Sequence, residues 1–243
     1  MPEQNLAEIR QLLQQSTPEY RLALFKELRV THQIHKLEEA FGAPAEVILE
    51  AIHRAPELTR RMLRGVIADA AFFQYVVPAI ADRGWKDITP EGNYAFDYQL
   101  ADAAGSVTIQ VKLQRSEKGR PVVKDGRRYG FGPEVFMVEP QKTRGGTDKE
   151  NKKTRPYRYG DFDILAVSLQ PSTGKWDTFR YTLGRWLMQG KEPDEIATMQ
   201  PVPLAPNEFW TDDLEIATQW LRADSGDKRI QIIARAPERP NIA

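Results

Sequence analysis

The chain has 243 residues, 41% of them apolar and 28% charged, a composition that builds a folded core and excludes a fibrous repeat or wholesale disorder. It contains no cysteine, so disulfides, cysteine-ligated zinc and a thiol nucleophile are excluded. Lys plus Arg and Asp plus Glu are each 34, but residues 112–158 hold 14 basic against 6 acidic residues, so a neutral chain can still carry a surface that attracts a polyanion. A solvated loop region rich in lysine and arginine gives the same count.

The opening "MPEQNLAEIRQ" has no basic stretch followed by an apolar one, and no run approaches the ~20 apolar residues of a membrane span. The expectation is a cytoplasmic protein that does not engage a membrane. His32, His35 and His53 fall in helical-looking sequence; the i,i+3 pair lacks the further ligands a metal site needs and reads as surface or packing.

Residues 1–58 read as an appendage of short helices, with apolar positions at Leu6, Ile9, Leu12 and Leu13 and then at Tyr20, Leu24, Phe25 and Leu28. Ser16 or Thr17 followed by Pro18 marks a helix start. "HKLEEAFGAPAEVILEAIHR" reads as two helices joined around Gly42 to Pro44. As a helix-turn-helix it would carry Glu46 and Glu50 toward DNA, which favours a plain helical hairpin. The main domain is expected over 59–243. A long helix from Thr59 to about Asp82 places Met62, Val66, Phe73, Val76 and Ile80 on one stripe, with Asp69 at the missing step and Pro78 near a kinked end.

Strands are predicted over Tyr94–Leu100, Val107–Leu113, Glu134–Val138, Phe162–Leu169 and Asp177–Tyr181. Helical sequence follows through "LGRWLMQG" and again near Asp212–Leu221, and "RIQIIAR" could add a late strand. "KTRGGTDKENKKTRPYRYG" reads as a loop. Asp161 and Asp163 read as loop-facing acids before a central strand, and Trp176, Trp186, Trp210 and Trp220 as core or interface anchors.

The first two strands form the segment "FDYQLADAAGSVTIQVKLQR". Tyr94, Phe96, Tyr98 and Leu100 alternate with polar or small residues, as do Val107, Ile109, Val111 and Leu113, so each strand has one apolar and one polar face. A turn at Ala103-Ala104 sets Asp97 opposite Gln110, with Lys112 two residues along on the same face. A carboxylate and a second oxygen ligand can hold a divalent cation there, and an adjacent ammonium can act on water or on developing phosphate charge.

Asp97 followed by Gln110-Val111-Lys112, after a long helix, resembles the PD-(D/E)XK nuclease superfamily, and most of all its type II restriction endonucleases, over roughly Thr59 to Leu169. The resemblance implies an α/β fold with a restriction-endonuclease-like mixed central sheet flanked by helices. It implies Mg2+ as cofactor, with Asp97 and Gln110 as metal ligands, Lys112 assisting the attacking water, and Asp69 as an additional helix acid. It further implies hydrolysis at a short specific double-stranded DNA sequence by a protein for which a homodimer matches palindromic sites. Ala95-Phe96 stands where a proline is expected before the aspartate, and Gln110 replaces an acid, which costs one negative charge. A repair or recombination nuclease of the same superfamily, and a noncatalytic DNA-binding protein with a decayed site, are the alternatives.

Candidate DNA contacts directly after the hairpin are Arg115, Lys118, Arg120, Lys124, Arg127 and Arg128, interleaved with Tyr129 and Phe131. A second set comprises Lys142, Arg144, Lys149, Lys152, Lys153 and Arg155, with Tyr157 and Tyr159 following.

Overall fold

A computed structural model describes residues 2–142, 155–223 and 228–233, in a chain that divides into two compact units, Met1–Arg61 and Met62–Ala243. The first unit holds helices α1 (Pro2–Gln15), α2 (Pro18–Thr31), α3 (Leu37–Phe41) and α4 (Ala45–Arg54). Thr17 caps α2 by accepting the Tyr20 N–H at 3.5 Å, and Gly42 ends α3 with φ 57°, a conformation that suits a residue without Cβ.

Among the described residues of this unit the buried one is an acid, Glu38. Its carboxylate accepts the main-chain N–H groups of Ile34 (2.6 Å), His35 (3.4 Å) and Ala45 (2.8 Å) and pairs with Arg29, which also reaches Glu46 at 3.0 Å. Arg29 first, then the Ala45 N–H, hold the Glu38 carboxyl down to about 2. The apolar positions read from the sequence are instead largely exposed, Leu6, Leu12, Tyr20 and Phe25 among them.

Helix α5 (Glu57–Ala71) runs through a π-helical turn at Phe72–Val76 into α6 (Val77–Ala81). The wider turn falls just before Pro78, which has no N–H to donate and whose ring crowds the carbonyl four residues back. The buried stripe is Ala68, Ala71, Phe72 and Ile80, whereas Met62, Val66 and Phe73 are more than half exposed. The expected stripe was therefore displaced: ahead of the π turn the small Ala68 and Ala71, not Met62 and Val66, pack into the core, and of the expected positions Ile80, beyond the turn, is buried. By length and composition alone the stretch Glu57–Ala81 is long and apolar enough to cross a membrane, a test that the core helix of a soluble protein also passes.

The central sheet has five strands in the order β1 (Lys86–Asp87), β2 (Tyr98–Asp102), β3 (Gly105–Leu113), β8 (Ile164–Ser168) and β9 (Phe179–Leu183). It is mixed, with β3 and β8 parallel and the other pairs antiparallel. The β2–β3 hairpin has the expected register, from Tyr98 opposite Ile109 to Asp102 opposite Gly105 around Ala103-Ala104. Gly105, at φ 128°, takes up the backbone twist that closes the two-residue turn.

One sheet face buries Leu100, Ile109, Val111, Ile164, Ala166 and Tyr181 against Phe72, Ile80 and, from helix α8 (Leu214–Arg222), Leu214 and Ala217. The other face is covered differently from the expectation of flanking helices. Leu165 and Val167 pack there against Val138 of β7 (Glu134–Val138) and Val202 of β10 (Gln200–Pro203). These two strands, with β6 (Val123–Asp125), make a three-stranded antiparallel sheet in the order β10-β7-β6. Pro201 and Pro203 argue against a strand in the sequence, and the residues pair here because β10 lies at a sheet edge.

A two-stranded hairpin, β4 (Ser116–Glu117) and β5 (Arg120–Pro121), turns at Lys118 and Gly119, both at positive φ. A four-residue α7 (Gln170–Thr173) completes the elements. "LGRWLMQG" forms only a short 3-10 turn at Gly184–Trp186, because Trp186 and Leu187 are drawn fully into the core. Residues 228–233 form no strand: Ile230 N–H bonds Trp186 O and Ile233 N–H bonds Arg128 O, with no continuous partner strand to form a ladder.

Candidate active site

The polar face of the hairpin is not a solvated surface. Gln110 and Gln114 are each 1% exposed, and Lys112 is half-buried. Parallel pairing of β3 with β8 sets Gln110 beside Leu165 and Lys112 beside Val167, so polar side chains enter the second core. Such burial is tolerated only with partners. Gln110 has them at both ends of its amide, whereas Gln114 accepts the Ser172 hydroxyl at 2.8 Å through Oε1 and its Nε2 is buried without a hydrogen-bond partner among the described residues.

Asp97 stands where the ladder stops. Its N–H bonds Ile109 O at 2.9 Å, and its Oδ2 accepts the Val111 N–H at 2.8 Å in place of a main-chain carbonyl. Gln110 Nε2 donates to the same Oδ2 and to Val111 O at 3.1 Å, while Gln110 Oε1 accepts the hydroxyl of Tyr157 at 3.0 Å. The Lys112 and Lys142 ammonium groups each lie 5.3 Å from the centre of the Tyr157 ring. On α5, Asp69 accepts the Tyr98 hydroxyl through its main-chain oxygen at 3.0 Å, and its Oδ1 is buried without a hydrogen-bond partner among the described residues.

The charges are mutually felt. Burial raises the Asp97 carboxyl above its ordinary range and Asp69 adds to this, against the Lys112 ammonium, the Val111 N–H and the Gln110 amide. Burial also raises Asp69, opposed by Tyr98 and Lys112. Burial pushes the Lys112 ammonium down, with Asp97 and Asp69 resisting. Burial raises the Tyr157 hydroxyl, which therefore remains a proton donor at working pH. Asp69, Asp97, Gln110 and Lys112 are thus brought into one electrostatic cluster within the second unit.

Among the described residues no three His, Cys, Asp or Glu side chains gather as a metal cluster. The available oxygen donors are the carboxylates of Asp97 and Asp69, since the amide oxygen of Gln110 is taken by the Tyr157 hydroxyl. That set suits Mg2+, which typically takes one or two carboxylates and completes its shell with water and substrate phosphate. The orphaned Asp69 Oδ1 is a buried acceptor that a cation would satisfy.

Tyr157 has no spacing relation to the hairpin and enters the sequence reading only as an aromatic among basic residues. Its distance from Gln110, 47 positions along the chain, left no local signal beyond the basic run itself. Asp163 ties the sheet, its Oδ2 accepting both the N–H and the hydroxyl of Thr108 at 2.8 Å. Asp161 pairs with Lys142 at 2.9 Å.

Of the basic candidates, Lys118, Arg120, Lys124, Arg127, Arg128 and Arg155 are exposed. Arg115 is held by Glu117 at 3.0 Å and by Glu139. Lys142 is held by Asp161. Arg144, Lys149, Lys152 and Lys153 lie outside the described residues.

No protein-family model matches the sequence, and no curated protein matches it. A solved structure of a bacterial homing endonuclease, I-Ssp6803I, is similar at 24% identity over 50% of this chain and 68% of that one, with a TM-score of 0.31. A likeness at that score carries no weight for fold or activity.

Proposed function

We propose that the chain is a Mg2+-dependent endonuclease of type II restriction character that hydrolyses phosphodiester bonds at a short specific sequence in double-stranded DNA. The observation that carries the reading is the half-buried cluster of Asp69, Asp97 and Lys112, whose charges act on one another, with Asp97 at the point where the β2–β3 ladder stops. It agrees with the resemblance of Asp97 and Gln110-Val111-Lys112 to the PD-(D/E)XK pattern, and with the mixed sheet that presents them.

Asp97 and Asp69 would hold the divalent ion. Bound there, it supplies positive charge against the phosphodiester and makes water more acidic. Lys112, desolvated and so more ready to lose its proton, would share the proton of an attacking water as the new P–O bond forms and the bond to the leaving oxygen breaks. Exposed Lys118, Arg120, Lys124, Arg127 and Arg128 supply phosphate contacts to position the duplex. A second copy is the proposed partner, and the exposed apolar residues of the first unit, Leu12, Tyr20 and Phe25 among them, are the surface proposed to meet it. Twofold symmetry then matches a palindromic site.

One observation favours a second reading, a noncatalytic DNA-binding protein. Gln110 adds no negative charge, and no third acid joins Asp69 and Asp97 among the described residues. The test is incubation of the full chain with phage DNA and Mg2+, repeated with EDTA and with Lys112→Ala. Discrete fragments lost in both controls support the nuclease. DNA binding without cleavage under any divalent ion supports the second reading, and no DNA affinity at low salt refutes both.

A further inference from the structure

Gln110 occupies the position that the resemblance gives to an ion ligand, yet its amide is already committed. The nitrogen donates to Asp97 Oδ2 and to Val111 O at 3.1 Å, a carboxylate and a carbonyl. A carbonyl only accepts, and so does an ionised carboxylate, so the amide can face them only with its nitrogen. Turned over, it would set Oε1 against two oxygens and leave only the Tyr157 hydroxyl oxygen to receive the nitrogen of Gln110, a residue 1% exposed.

Oε1 points away from Asp97 and accepts the Tyr157 hydroxyl at 3.0 Å. Tyr157 is itself fixed, 4% exposed, edge-on to Phe162 at 5.3 Å, with its main-chain oxygen accepting the Ile196 N–H at 2.8 Å. The network takes Oδ2 of Asp97 only; among the described residues Oδ1 has no hydrogen bond.

We infer that Gln110 is a positioning residue rather than an ion ligand: its amide aims the Asp97 carboxylate, and the Tyr157 hydroxyl holds the amide in that orientation. This rests on the metal-dependent reading of the site. It assigns the missing negative charge of the Gln variant a physical counterpart. An acid at 110 could not donate to Asp97, whereas glutamine both donates to it and is locked from behind by a tyrosine remote in sequence.

The test compares the full-length wild type with Tyr157→Phe, which keeps the ring and its contact to Phe162. Mg2+ affinity is measured by titration calorimetry without DNA, and the Gln110 side-chain amide is followed by NMR, assigned by its loss in Gln110→Leu. The expected result is a Kd for Mg2+ weaker by roughly tenfold, as when an outer partner of a metal ligand is removed, together with displaced amide resonances. Unchanged or tighter Mg2+ binding overturns the inference, tighter binding being the sign of an amide released to offer its oxygen. If the wild type binds no Mg2+, the metal-dependent reading fails by itself. The amide resonances then decide the positioning: unmoved by Tyr157→Phe, they overturn it.

Discussion

Replacing Gln110 by leucine keeps the approximate volume and removes three hydrogen bonds, two donated and one accepted. The Asp97 carboxylate loses a charge-assisted donor, worth about 1.5–3 kcal/mol, and the Tyr157 hydroxyl is left buried without its acceptor, at about 1–3 kcal/mol. Part is recovered by local relaxation, so Gln110→Leu is expected to cost about 3 kcal/mol and Tyr157→Phe about 1 kcal/mol. The double variant should cost less than the sum by about 1 kcal/mol, because phenylalanine leaves no hydroxyl to orphan. The assay is urea denaturation in EDTA followed by tryptophan fluorescence. All five tryptophans lie beyond Met62, so the signal reports the second unit. A cost below about 1 kcal/mol for Gln110→Leu, or a cycle that closes additively, would refute the hydrogen-bonded chain Asp97–Gln110–Tyr157.

Glu38, held down to about 2, has a folded-state pKa below its unfolded value of about 4.3, so its contribution is present above that value and is lost as pH falls toward 2. Helix content of the full chain should therefore melt more easily from pH 5 to pH 2, and Glu38→Gln should flatten that slope; parallel profiles would contradict it. Arg127→Ala with Arg128→Ala should lower the slope of log K against log salt for duplex DNA by about 0.9 per lost phosphate contact, read by fluorescence anisotropy. Gln200→Leu removes the bonds to Met188 N–H, Met188 O and Ala197 O and should destabilise the second unit by about 3 kcal/mol in urea denaturation. Sedimentation equilibrium should show a dimer that Leu12→Ser with Phe25→Ser converts to monomer, since both side chains are at least half exposed.

The hairpin was legible because its information is local. Period-two alternation gave the faces of β2 and β3, and a two-residue turn gave their register. The helix stripe was not, since the core takes the small Ala68 and Ala71 in preference to the larger Met62 and Val66, a choice set by how closely the helix approaches the sheet, and a π turn ahead of Pro78 then breaks the constant 3.6-residue period. β10 was missed for a related reason: prolines speak against a ladder in general but not against an edge position, and edge or centre is decided by what lies alongside. "RIQIIAR" carries strand-like alternation, yet over its described residues it meets single main-chain partners rather than another strand.

By itself the sequence determined which side chains share a strand face, where the basic charge is concentrated, and that no thiol takes part in any chemistry. Each follows from near neighbours or from composition. Only the tertiary structure decided that Gln110 and Gln114 of the polar face are buried, that Asp69 comes into electrostatic reach of Asp97 and Lys112, and that Gln110 turns its nitrogen to Asp97 with Tyr157 behind it. The reason is the range of the contacts. The amide orientation is set by one acceptor on the next residue, another 13 positions away and a donor 47 positions away, and no period in the chain records the last two.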